Sequence, residues 1–153
     1  ITTTTAVRLL LDKAAAVEEA LELLRQYDFH ASMGLVVHLA LADSTGRSVV
    51  VEYVGNEMSV VETPVVTNFY LTPGEKHGIG TSQSHTRYDI LTKLLAENPT
   101  LTPEDVRDAL SSVSKGSFGG FESTEWSIVF DLTAKTARYY HRENYQNSWL
   151  FAL

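Results

Sequence analysis

His38-Leu39-Ala40-Leu41-Ala42-Asp43-Ser44-Thr45-Gly46-Arg47-Ser48-Val49-Val50-Val51-Glu52 is the stretch on which the fold turns. Apolar runs over 35–42 and 48–54 flank the polar break 43–47, and a short turn between two such runs predicts an antiparallel hairpin. Val49, Val51 and Tyr53 alternate with Val50, Glu52 and Val54, so both faces of the second run are largely apolar. A strand of that kind belongs in a sheet covered on both sides. Working outward, Gly55-Asn56 supplies a second turn and 57–61 a third strand. Pro64 then leads into a fourth over 65–70, completing an antiparallel meander.

Upstream, the period is helical. Val7, Leu10, Leu11 and Ala14 fall at i, i+3, i+4 and i+7, and Val17, Ala20, Leu21 and Leu24 repeat the spacing. The two stripes predict either two short helices or one kinked helix over 6–27, lying against a core. Downstream, a Gly/Pro-containing loop over 71–80 precedes a helix over 84–97, with Tyr88, Leu91 and Leu95 on one face. Thr102-Pro103-Glu104-Asp105 is a helix start, with a Thr cap, Pro at the first position and acids in the first turn. That helix runs to about Val113, followed by a glycine-rich loop over 115–121. Strands over 126–131 and 136–141 pair as a second hairpin, and 149–153 forms a last apolar strand buried in a sheet. The predicted class is α+β, in a single domain over 1–153.

Composition narrows the function. Twelve Lys+Arg stand against 19 Asp+Glu, for a net charge of −7, which argues against a phosphate-binding surface and a nucleic-acid partner. No apolar run approaches the ~18 residues of a membrane span. The sequence contains no cysteine, so it offers no disulfide, no thiolate-ligated zinc and no thiol nucleophile of its own. No signal peptide is visible at the start; a cytoplasmic location is favoured without the compartment being fixed.

Two residues sit poorly where structure alone would put them. Asn68 ends an apolar β run, where asparagine has low propensity; its plainest explanation is a strand-end Asn bonding its own backbone. Arg87 falls in the first turn of a helix, at the positive end of the dipole, where a cation is disfavoured. Misfits of this kind concentrate at functional sites, and both flank the loop 71–80. The histidines (His30, His38, His77, His85, His141) show no metal-ligand spacing, and His38 reads as a satisfied core histidine. No nucleophile elbow surrounds Ser82 or Ser84. Gly78-Ile79-Gly80 is not a dinucleotide fingerprint, so no cofactor and no metal are expected. Trp126 and Tyr139 read as core.

In collinear order, five stretches carry a resemblance. Ala16-Val17-Glu18-Glu19-Ala20 is similar to the helix preceding the central hairpin of the linear amide C–N hydrolases of the N-terminal-nucleophile (Ntn) superfamily. The opening stretch, His38 to Glu52, resembles their H-x4-D-x2-G-x-S-x-V-x-E hairpin. Val66-Thr67-Asn68-Phe69 resembles their T-N motif, Ser84-His85-Thr86-Arg87-Tyr88 their S-x-x-R-[YF] motif, and Trp126 to Asp131 their W-S-x-V strand. The group includes choloylglycine (bile salt) hydrolases, penicillin V acylases and acyl-coenzyme A:6-aminopenicillanate acyltransferases.

The resemblance implies the second half of an αββα sandwich and an amide C–N hydrolase. In such enzymes an N-terminal cysteine attacks, and its own α-amino group serves as the base. Asn68 would then be the asparagine beside the reacting carbonyl, and Arg87 the cation near the thiolate. Absence of cysteine, and of the family's early arginine, aspartate and oxyanion donors, implies that an upstream segment of the same protein supplies them. The chain would be the C-terminal portion of the enzyme, silent alone, with a small-molecule amide as substrate. A homo-oligomer covering an exposed apolar face is the further partner expected. The alternative is a non-catalytic binding module derived from the same fold.

Overall fold

A computed structural model describes residues 1–32, 37–116 and 123–153. The first residues of the expected strand 35–42 and most of the expected loop 115–121 lie outside the described residues. The order of elements is α1 (Thr3–Lys13), α2 (Val17–Arg25), β1 (Leu39–Ala42), β2 (Ser48–Val54), β3 (Glu57–Glu62), α3 (Ser82–Glu97), α4 (Pro103–Ser112), β4 (Trp126–Asp131), β5 (Thr136–His141) and β6 (Trp149–Ala152). This is an α+β protein with two antiparallel three-stranded sheets, ordered β1-β2-β3 and β4-β5-β6. The chain divides into two compact units, Ile1–His85 and Thr86–Leu153.

In the first unit β2 is central, pairing Val50 with Ala40 on one side and with Val61 on the other. Val49, Val50, Val51 and Glu52 are all buried, so coverage of both faces holds for this strand. Val49 and Val51 pack against Ala6, Leu10, Val17, Ala20, Leu21 and Leu24 of the two helices. Tyr53 shares that face and stacks on Phe29 at 4.6 Å. The opposite face carries Glu52, whose carboxylate meets the returning segment at Leu71 and Thr72.

The hairpin turn also explains why the helical region is two helices. Asp43 accepts from the Val17 backbone N–H at 2.9 Å, capping α2, while its other oxygen takes the Thr45 N–H and hydroxyl. These bonds, the Thr45 hydroxyl first, hold the Asp43 carboxyl below its ordinary range. Gly46 adopts φ +89°, a left-handed conformation that favours glycine. Arg47 then ties Glu18 of α2 to Glu62 of β3. In α1 the inward residues are Ala6 and Leu10, whereas Leu11 is 75% exposed and Val7 is exposed too. Two of the four expected inward positions, Val7 and Leu11, thus face outward, because only one turn-to-turn row of so short a helix reaches the core.

The expected fourth strand over 65–70 does not form. Its Val65 N–H bonds Thr63 Oγ1 and its Tyr70 N–H the Ile79 carbonyl, while the next two amides, Leu71 and Thr72, bond Glu52 rather than a neighbouring strand. A single bridge, Phe69 to Gly80, is all the β pairing it makes among the described residues.

In the second unit α4 begins with the expected cap. Thr102 accepts from Asp105 N while Asp105 accepts from Thr102 N, a reciprocal capping box with Pro103 following. Val106 and Leu110 of this helix pack on Val129, Tyr140 and Tyr145, and Ser127 Oγ meets Tyr145 Oη at 2.9 Å. That is one face of the second sheet. The other face carries Trp126, Phe130, Trp149 and Phe151, all exposed; Trp126, expected in the core, is 62% exposed. The final strand is likewise exposed along its length rather than buried. Period-2 alternation places those residues opposite the helix-covered face, and apolar character alone did not tell the two faces apart.

Candidate functional site

Although it is no strand, the segment leading to Asn68 keeps strand-like alternation. Val65, Thr67 and Phe69 are buried; Val66, Asn68 and Tyr70 turn outward. Each inward residue is anchored. Thr67 Oγ1 donates to the Ser84 carbonyl at 2.9 Å, and Phe69 stacks on the His85 ring at 4.1 Å. Asn68 is therefore exposed and presented by fixed neighbours. It lines a cavity of about 440 Å³ with Val37, His38, Phe69, Tyr70 and Ile79.

Ile79 brings in the loop 71–80, which is closed on itself by backbone bonds. Gly78 N–H donates to the Tyr70 carbonyl at 2.8 Å and Tyr70 N–H to the Ile79 carbonyl at 3.3 Å. His77 Nδ1 donates to the Leu71 carbonyl, and His85 Nε2 to the Gly78 carbonyl at 2.9 Å. Gly80 is a close approach: a Cβ there would lie 2.3 Å from the Phe69 Cβ and 2.5 Å from the Asn68 carbonyl oxygen. Only a hydrogen fits in that space.

Beneath the loop lies the residue that sequence reading passed over. Glu52 is 0% exposed. Its carboxylate accepts from Leu71 N at 3.0 Å, from Thr72 N at 2.7 Å and from Thr72 Oγ1 at 2.5 Å. His38 Nδ1 completes the shell at 3.0 Å. Burial pushes the carboxyl pKa up, but the Thr72 hydroxyl, the Leu71 and Thr72 amides and His38 outweigh it, leaving it below the usual carboxylate range. A buried charge so fully hydrogen-bonded holds strand and loop together. One signal was available: an acid on the inward side of a valine run must find donors somewhere. His38, expected as a satisfied core histidine, pairs with this acid through Nδ1 but is only half-buried and borders the cavity.

Arg87 lies on α3, within its first two turns, and belongs to the second unit, whereas Asn68, His38 and Glu52 belong to the first. It is half-buried. No group of three or more metal-ligating side chains occurs among the described residues.

An α+β chain with two antiparallel sheets is consistent with the N-terminal-nucleophile-like class of acyl-transferring and amide-hydrolysing proteins. The chain belongs to the acyl-coenzyme A:6-aminopenicillanic acid acyl-transferase family, whose model matches residues 1–146. Among curated proteins, none matches the chain at a significant level.

Proposed function

We propose that this chain forms the supporting part of a cysteine-nucleophile site that cleaves linear amide C–N bonds, as choloylglycine hydrolases and penicillin V acylases do. The observation that carries the reading is Asn68 on the cavity wall, its backbone fixed through Thr67, Phe69 and Gly80. A primary amide so placed donates a hydrogen bond to the oxygen of a reacting carbonyl, where charge develops as the nucleophile adds. Arg87 supplies a permanent cation that lowers the thiol pKa and stabilises the developing charge. Because these residues include no cysteine, the thiol and its α-amino base come from another segment of the protein, and the chain alone is inactive.

The test is release of 6-aminopenicillanic acid from penicillin V by the full-length protein, compared with residues 1–153 alone. The longer protein turns over and the shorter does not. Asn68→Ala and Arg87→Ala in the active form each lower kcat by about 10²–10³, the cost of removing one donor to an oxyanion. Full activity in Asn68→Ala, or turnover by the chain alone, refutes the assignment. Binding without turnover by a cysteine-headed full-length protein would favour the non-catalytic module.

A further inference from the structure

The pairing of His38 with Glu52 does more than satisfy a buried acid. An ionised carboxylate only accepts hydrogen bonds, so at 3.0 Å the bond between them needs the proton on His38 Nδ1. The low-lying carboxyl of Glu52 keeps it ionised. With Nδ1 committed, the ring in its neutral form presents Nε2 as an acceptor, the arrangement by which a neighbouring acid fixes a histidine tautomer. Nε2 holds no hydrogen bond among the described residues. The side chain remains 23% exposed although its partner is fully buried, and it borders the same cavity as Asn68.

We propose that His38, oriented by Glu52, is a ligand-binding residue of this cavity whose Nε2 accepts a hydrogen bond from an N–H donor of the bound amide. Asn68 and His38 are then complementary. The asparagine donates to the carbonyl oxygen, a group that amides and esters share, while the histidine accepts from the N–H that only the amide has. The cavity thereby selects amides over esters before any chemistry occurs. A site built to pair a donor penalises an analogue lacking it, because its own acceptor is left unpaired.

This rests on the reading of the cavity as an amide site, and two probes separate the two claims. Phenylacetamide and its ester counterpart, methyl phenylacetate, are titrated into the full-length protein with ring-nitrogen-labelled histidine and followed by NMR. In the unliganded protein His38 shows a protonated Nδ1 and an unprotonated Nε2, and only phenylacetamide shifts Nε2. His38→Phe weakens the amide roughly two- to tenfold, the worth of one neutral hydrogen bond, and leaves the ester unchanged. His38→Gln, which keeps an acceptor, recovers part of the loss. Asn68→Ala weakens both probes.

An Nε2-protonated tautomer overturns the proposal, as does equal weakening of both probes by His38→Phe. If both probes bind and respond to Asn68→Ala, but His38→Phe spares the amide, the role of His38 falls and the amide site stands. If neither probe binds the full-length protein, the amide-site reading falls and takes the proposal with it.

Discussion

Replacing Glu52 by alanine removes the one acceptor that the Leu71 and Thr72 amides share. Both residues are buried, so two backbone donors are left without a partner, at about 1–3 kcal/mol each. The Thr72 hydroxyl and the His38 ring lose a charged partner as well. Breaking a buried ionic cluster by deleting one member costs about 3–5 kcal/mol, a large share of the ~5–15 kcal/mol that holds a domain folded. With a urea slope of about 2 kcal/mol per molar, the first unit unfolds at a midpoint lower by about 2 M. The assay is urea unfolding read by amide signals of β2 and of residues 70–72.

The same group sets an acid limb. The folded carboxyl titrates below its unfolded value, near ~4.3 for glutamate, so its contribution is complete above that value. It is lost as pH falls through the depressed folded value. Glu52→Gln carries no such group, and its stability declines less steeply across that acidic window. A Glu52→Ala midpoint within about 0.3 M of the unaltered chain, less than one unsatisfied donor at that slope, refutes the reasoning. So does an acid limb in Glu52→Gln that coincides with the parent's.

Two smaller perturbations test the framework around the cavity and the second unit. Gly80→Ala drives a methyl to within 2.3 Å of the Phe69 Cβ; the protein loses about 1–3 kcal/mol to overpacking, and the Asn68 and Phe69 amide signals shift, read by two-dimensional NMR and thermal unfolding. Thr102→Ala removes the side chain that caps α4 and costs about 1 kcal/mol, measured by urea unfolding of signals from 103–112 while β2 is unaffected.

Much of the fold was legible because local rules and global packing agree. The hairpin at 38–52 shows both its period and its turn, and Thr102-Pro103 announces a helix in four residues. Failure came where a side chain supplied what a ladder would have supplied. The stretch 65–70 has the composition and alternation of a strand, yet its following amides reach an acid 19 and 20 residues earlier, a pairing no window of sequence displays. Apolar faces were also ambiguous. Trp126 and Val129 look equally suited to a core, but α4 covers only the side that holds Val129. At the site, Asn68 stood out because it broke a propensity rule. Glu52 did not, because its partners are backbone amides and carry no sequence identity.

Among the described residues the last strand, Trp149–Ala152, pairs with β5 on one side only, and Trp149, Leu150 and Phe151 are each more than half exposed. It carries no lysine, proline or charge of the kind that protects an open margin. A purified sample therefore brings a sticky ribbon into solution, poised to recruit a further strand in register. Light scattering that grows with concentration, and subsides when Leu150 is changed to Lys, is the behaviour such a margin produces.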